Sequence, residues 1–164
     1  MKIDMIPLLF ERSQAAEIDT TVTLAEVFPS IALGELALLG KVKNSAGHIM
    51  LTLQVTGKFT AQCDRCLVDT EHELDFLIEK PVAVAGTIQD DIEEEYIYIE
   101  ENQLDIMPTL IDAVEFEIPT KILCSDECLG ICADCGADLN QSKCSCREKK
   151  IDSQWEKIKQ MLDE

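Results

Sequence analysis

Between Leu36 and Ile78 apolar and polar side chains alternate almost residue by residue. In Leu36-Ala37-Leu38-Leu39-Gly40-Lys41-Val42 the even positions are mostly apolar. Further on the odd positions take over: Ile49, Leu51, Leu53, Val55, Phe59, Ala61 and Cys63 stand against Thr52, Gln54, Thr56, Lys58, Thr60 and Gln62. A period of two predicts strands with one face buried and one in water. Asn44-Ser45-Ala46-Gly47 has turn chemistry, and Gly57 is the expected site of a bulge in the longer strand. Leu74, Phe76 and Ile78 then alternate with Glu71, Glu73, Asp75 and Glu79. Tyr96 to Ile99 reads as a further short strand. Ala15 to Phe28 alternates weakly through Ile18, Val22, Leu24 and Val27, before a turn at Pro29-Ser30. The sum is an antiparallel β-meander with one charged face.

The period changes at Leu104. Leu104, Met107, Ile111, Val114 and Ile118 fall on a spacing of three to four, the stripe of an amphipathic helix that packs on the sheet. Asp105 is the expected N-cap, Pro108 is tolerated in the first turn, and Pro119 stops the helix. A last short helix is predicted from Asp152 to Leu162, with Trp155, Ile158 and Met161 or Leu162 on one side and Asp152 or Ser153 as its cap. The fold class is therefore α+β. A β-rich domain with one helix occupies residues 1–119, and a cysteine-rich module with the terminal helix occupies residues 120–164.

Charge narrows the partners. There are 32 acidic against 14 basic residues, a net charge of -18, which disfavours a broad phosphate-binding surface or an anionic membrane. A basic protein partner suits this field, although acidity also serves solubility alone. Residues 86–95, with Asp90, Glu93, Glu94 and Glu95, read as solvated chain or as a docking patch. The one basic cluster is Lys143, Arg147, Lys149 and Lys150, which Arg65 would join if the cysteine pairs meet. It is the candidate for direct contact with RNA. No apolar run reaches the roughly 20 residues of a membrane span, and no secretory leader is read at the start. A cytoplasmic location is expected.

The eight cysteines fall in four close pairs: Cys63 and Cys66, Cys124 and Cys128, Cys132 and Cys135, Cys144 and Cys146. One tight turn delivers two thiolates to one ion, which is what a tetrahedral metal needs. Gly136 follows Cys135, where the turn favours a residue tolerant of positive φ. Disulfides fit poorly with a reducing compartment. A thioredoxin-like pair would sit at a helix N-terminus, whereas Cys66 precedes a strand. The spacing does not follow the common iron–sulfur runs. One or two structural zinc ions are the expected cofactor, with all eight cysteines as ligands. Loop closure favours Cys132, Cys135, Cys144 and Cys146 around one ion and Cys63, Cys66, Cys124 and Cys128 around the other. A contiguous set of Cys124, Cys128, Cys132 and Cys135 is the alternative, with Cys63 and Cys66 meeting Cys144 and Cys146. Four thiolates leave no open position for water, so such a site is structural.

Catalytic motifs are missing from the sequence. There is no phosphate-binding glycine loop and no nucleophile elbow. His48 lies in a turn and His72 among glutamates, where a surface position is expected. No catalytic residue, small-molecule substrate or enzymatic activity is predicted. A thiol- or metal-dependent redox protein, or a general zinc-stabilised protein-interaction module, is the alternative.

Cys63-Asp64-Arg65-Cys66-Leu67 after a β run, Leu104-Asp105 opening a helix that ends at Ile118-Pro119, and the Cys124 to Asn140 segment with Cys144-Ser145-Cys146 together resemble the YceD family in its cysteine-rich form. The match runs from about Leu36 onward. Ile131 and Ala133 stand where Leu and Pro are more usual, Asp138 where Asn is, and Asp152-Ser153-Gln154 replaces Asp-Pro-Arg. The resemblance implies a non-enzymatic factor in large ribosomal subunit biogenesis. Its partner would be a basic ribosomal protein, a pre-ribosomal particle or ribosomal RNA.

Overall fold

A computed structural model describes residues 1–10, 15–86, 96–148 and Met161, with side chains up to Cys146 and at Met161. The acidic segment 87–95, the terminal helix predicted around Trp155, Lys149, Lys150 and the Arg147 side chain lie outside the described residues.

The described chain divides into two compact units, residues 1–61 with 71–120 and residues 62–70 with 121–164. Most of the secondary structure belongs to the first. It comprises β1 (Lys2–Asp4), α1 (Ile6–Phe10), β2 (Ala15–Thr23), β3 (Ala32–Leu33), β4 (Glu35–Ser45), β5 (His48–Gln62), β6 (Asp69–Val84), β7 (Ile97–Glu100), β8 (Gln103–Asp105) and α2 (Met107–Glu117). The strands form one sheet in the order β1-β8-β7-β6-β5-β4-β2, with β3 pairing on β5.

Alternation builds this sheet as the sequence predicts. Leu36, Leu38 and Val42 of β4 are buried with Ile49, Leu51, Leu53, Val55, Phe59 and Ala61 of β5. The hairpin closes through Ser45 opposite His48, with Ala46 and Gly47 both at positive φ, the twist that a two-residue turn needs. Asn44 Oδ1 accepts the Gly47 N–H at 3.0 Å.

Gly57 does not mark a bulge in β5. The odd row of β5 stays buried on both sides of it. Register shows the extra residue in the facing strand: Ala37 pairs with Thr56, but Leu33 pairs with Phe59. Gly34, Glu35 and Leu36 therefore face only Gly57 and Lys58. Gly57 gives room instead, since a Cβ there would lie 2.5 Å from Leu36 Cδ2.

The meander is not antiparallel throughout. β6 and β7 run parallel, with Val82 opposite Ile97 and Val84 opposite Ile99. A parallel return needs a connection of about a dozen residues, and the span 85–96 supplies one. β7 then turns into β8 through Glu101 and Asn102, both at positive φ. Neither β1 nor α1 was legible in the pattern, being too short for either period to show.

The stripe of α2 also differs from the one predicted. Ile106, Leu110 and Val114 are fully buried, whereas Met107, Ile111 and Ile118 are half-buried. Ile106, not Asp105, occupies the N-cap position. Asp105 still serves the helix start, because its Oδ1 accepts the Met107 N–H at 3.1 Å. That bond holds its carboxyl below the usual carboxylate range. Asp105→Ala is expected to cost about 1 kcal/mol in urea denaturation, the scale of a lost helix-start acceptor. The contribution is present at neutral pH and disappears as pH falls through the lowered pKa. Ile118 is extended, as a residue before proline prefers, and the helix ends there.

Candidate metal centres

The odd buried row of β5 runs past its last strand residue into Cys63, whose side chain is fully buried. A tight turn follows. The Leu67 N–H donates to the Cys63 carbonyl at 2.9 Å, and the Cys63 N–H donates to the Val68 carbonyl at 2.9 Å. Leu67 takes φ +62. The same turn recurs at Cys132. There the Gly136 N–H donates to the Cys132 carbonyl at 2.8 Å, the Cys132 N–H donates to the Ala137 carbonyl at 2.8 Å, and Gly136 takes φ +72. Each is a two-thiolate knuckle that aims backbone amides at sulfur.

The first knuckle is tied to the segment around Cys124. The Asp64 N–H donates to the Ile122 carbonyl at 2.8 Å, and the Ile122 N–H returns to Asp64 Oδ2 at 2.7 Å. The Arg65 guanidinium donates to the Cys128 carbonyl at 2.7 Å. The Ile131 N–H reaches the Arg65 carbonyl at 3.0 Å. Arg65 is exposed, and one end of its guanidinium is spent on the Cys128 carbonyl; the Arg147 side chain, Lys149 and Lys150, which it is expected to join, lie outside the described residues.

These ties bring all eight cysteines into two groups, Cys63, Cys66, Cys124 and Cys128, and Cys132, Cys135, Cys144 and Cys146. Within each group the Sγ atoms lie within 4.8 Å of one another. Cys63 and Cys128 Sγ are 3.8 Å apart, and Cys66 and Cys124 Sγ 3.5 Å. A tetrahedron of sulfurs about 2.3 Å from a central ion has edges of about 3.8 Å. The sulfurs therefore fit a single tetrahedral ion, and the space among them is too small for a cluster of several irons and sulfides. This is the division that loop closure favoured; the contiguous set is not formed.

Proton affinities describe the same crowding. Burial pushes the Cys63 thiol up, but N–H groups of Cys124, Arg65 and Cys66 outweigh it and bring it to about 6. The Cys128 thiol is also drawn down: burial opposes, while the Asn140 amide and the Gly130 N–H prevail. N–H groups of Cys135 and Asp134 lower Cys132 to about 7. Neighbouring thiols Cys128 and Cys66 push Cys124 up to about 12, and Cys135 does the same to Cys146, at about 12. Four thiolates in contact cannot all ionise alone; a divalent cation at the centre lets them.

Burial marks the sites as the framework of their unit. Among the described residues of 62–70 and 121–164, the only buried apolar side chains are Cys63, Cys128 and Cys132. Sequence reasoning found all eight sulfurs but missed Asp64, Arg65, Gly130 and Asn140, whose roles depend on the meeting of distant segments.

The two histidines fall on β5 and β6. His48 is exposed at the start of β5. His72 is half-buried and stacks on Phe59 at 5.1 Å, because it falls on the inward even row of β6; this corrects its expected surface position. Among the predicted basic residues, Lys143 is exposed beside Cys144. No helix among the described residues is long and apolar enough to cross a membrane.

Comparison with known proteins finds relatives over much of this chain. An uncharacterized Mycobacterium tuberculosis protein is 28% identical over 137 residues, covering 80% of this chain and 66% of its own length. The chain thus spans just under two thirds of that relative. An uncharacterized Bacillus subtilis protein is 25% identical over 119 residues, 70% of this chain and 68% of the relative. An Arabidopsis thaliana chloroplastic protein, named large ribosomal RNA subunit accumulation protein YCED homolog 1, is 42% identical over 52 residues, 31% of this chain and 16% of its own. No solved structure matches. The family model described as large ribosomal RNA subunit accumulation protein YceD matches residues 51–162, from the long strand through both cysteine groups, and the chain belongs to that family.

Proposed function

We propose that this protein is a non-enzymatic factor in large ribosomal subunit biogenesis, stabilised by two structural zinc ions and acting through contact with basic ribosomal proteins. The observation that carries the non-catalytic part is that each cysteine group is closed, four thiolates around one ion position. An ion held so has no site for substrate or water. Cys63, Cys66, Cys124 and Cys128 would hold one zinc, and Cys132, Cys135, Cys144 and Cys146 the other. Zinc in such sites supplies cross-linking, not redox or hydrolytic chemistry. The ribosomal part rests on family membership.

The described surface supports a basic protein partner. The outward row of β6 carries Asp69, Glu71, Glu73, Asp75 and Glu79, all exposed. Lys58 pairs with Glu71 at 2.9 Å and Glu73 at 3.7 Å, and its ammonium is held above its usual pKa, chiefly by the bond to Glu71. That pairing leaves the row strongly negative.

Retention of basic large-subunit proteins from a ribosomal protein mixture tests this reading. Retention is expected at low salt and is expected to fall steeply as salt rises. Replacing Glu71, Glu73 and Glu79 together by Lys is expected to weaken it on the order of tenfold, mainly through slower association. If nothing basic is retained at low salt, the electrostatic reading is wrong.

A further inference from the structure

The loop that joins Cys135 to Cys144 in one cysteine group also touches a sulfur of the other. Asn140, in that loop, points its Nδ2 at Cys128 Sγ, 3.4 Å away. Its amide orientation is fixed from two sides. Oδ1 accepts the Leu129 N–H at 2.8 Å, and Nδ2 also donates to Asp138 Oδ1 at 2.9 Å. Turning the amide over would oppose an oxygen to a thiolate and to a carboxylate. The loop itself is built for the purpose. Asp138 Oδ1 takes the Asn140 N–H at 2.9 Å, and the Ser142 N–H donates to the Asp138 carbonyl at 3.0 Å. The Leu139 N–H reaches the Gly130 carbonyl at 2.9 Å. Ile131 and Asp138 form an isolated antiparallel bridge.

From these contacts we infer that Asn140 couples the two metal sites, so that the ion at Cys132, Cys135, Cys144 and Cys146 strengthens binding of the ion at Cys63, Cys66, Cys124 and Cys128. The inference rests on the two-metal reading above. An ion held by the second group fixes both ends of the 136–143 loop. A fixed loop delivers the Asn140 amide to Cys128 without a further ordering cost. A thiolate that accepts an N–H bond keeps less excess charge, and donors of this kind commonly change metal affinity by about 10–100-fold. With the second group empty, the loop is closed by no ion and the donor is presented only part of the time. Reciprocity follows: filling the first site steadies Asn140 and therefore favours the second.

Cobalt(II) titration of the full-length apo chain under reducing conditions, followed by its thiolate absorption, measures both affinities. Cadmium-113 NMR tells the sites apart by separate resonances. The wild-type chain is expected to fill both sites together, with little singly loaded protein. Asn140→Ala is expected to populate a form loaded only at Cys132, Cys135, Cys144 and Cys146, with affinity at the other site down about tenfold or more. Emptying the second site with Cys144→Ser and Cys146→Ser is expected to weaken the first at least about fivefold. Asn140→Ala keeps every ligand, so it decides the matter if the double serine variant does not fold. Two ions with affinities independent of each other, or unchanged in Asn140→Ala, overturn the coupling alone. A wild-type chain that takes one ion or none overturns the two-metal reading itself.

Discussion

A strong chelator in reducing buffer is expected to abolish amide-exchange protection in residues 62–70 and 121–146 while protection at Leu51, Leu53, Leu110 and Val114 survives. The asymmetry follows from what each unit buries. The sheet unit has its own apolar core, with Leu36, Leu38, Leu51, Leu53, Leu104, Ile106, Leu110 and Val114 all at 0 or 1% exposure. Each such side chain contributes about 1.5–3 kcal/mol by burial. Among its described residues the only apolar side chains that the second unit buries are those of Cys63, Cys128 and Cys132. Ordering a chain costs about 1–2 kcal/mol per residue in backbone entropy alone, far beyond what three small thiol side chains return. Structural zinc contributes about 10–16 kcal/mol of apparent binding energy in small finger peptides at neutral pH. That apparent figure is already net of the cost of ordering the chain, so bound metal can fold a segment that burial alone cannot. Elemental analysis before chelation is expected to give two zinc ions per chain, and adding zinc back is expected to restore protection. Full protection of residues 121–146 in metal-free protein would sink the structural-metal reading.

What the sequence disclosed, and what it hid, divides along the range of the interactions. The alternation in β4, β5 and β6 was legible because one buried face repeats every second residue over long runs. Pairing of the cysteines within each knuckle was legible for a similar reason: the turn is local. Grouping of the pairs was left with alternatives, because Cys66 and Cys124 stand 58 residues apart. Loop-closure entropy favoured the correct grouping without excluding the other. The parallel step from β6 to β7 was hidden, since a short strand looks alike in either direction. The helix stripe was misplaced because Leu104 and Met107 extended the apolar spacing; Leu104 belongs to β8, and the buried row is Ile106, Leu110 and Val114. The bulge was sought at the glycine, whereas the extra residue lies opposite it. Arg65 and Asn140 were illegible as partners of the cysteines, because a side chain that binds distant backbone leaves no periodic mark.

Gly130→Ala is expected to damage the metal module far more than Gly136→Ala, although both glycines follow a cysteine turn and both take positive φ, +76 and +72. Left-handed backbone costs an L-residue about 1–2 kcal/mol, and both variants incur that. Their surroundings differ. A Cβ on Gly136 would meet nothing within 4 Å. A Cβ on Gly130 would lie 2.9 Å from the Arg65 carbonyl oxygen and 3.3 Å from Arg65 Cβ. That carbonyl cannot swing aside freely, because it accepts the Ile131 N–H at 3.0 Å. The Arg65 side chain is held in turn by the Cys128 carbonyl at 2.7 Å. Relief would have to spread the first knuckle from the segment carrying Cys128, adding about 1–3 kcal/mol of packing strain. The total for Gly130→Ala is then about 2–5 kcal/mol, against about 1–2 kcal/mol for Gly136→Ala. Because the strain falls between Arg65 and Cys128, it should also appear as weaker cobalt binding at Cys63, Cys66, Cys124 and Cys128, read by chelator competition. Equal costs in the two variants would mean that backbone conformation alone sets the requirement for glycine, and that the close approach of Gly130 to Arg65 carries no energy.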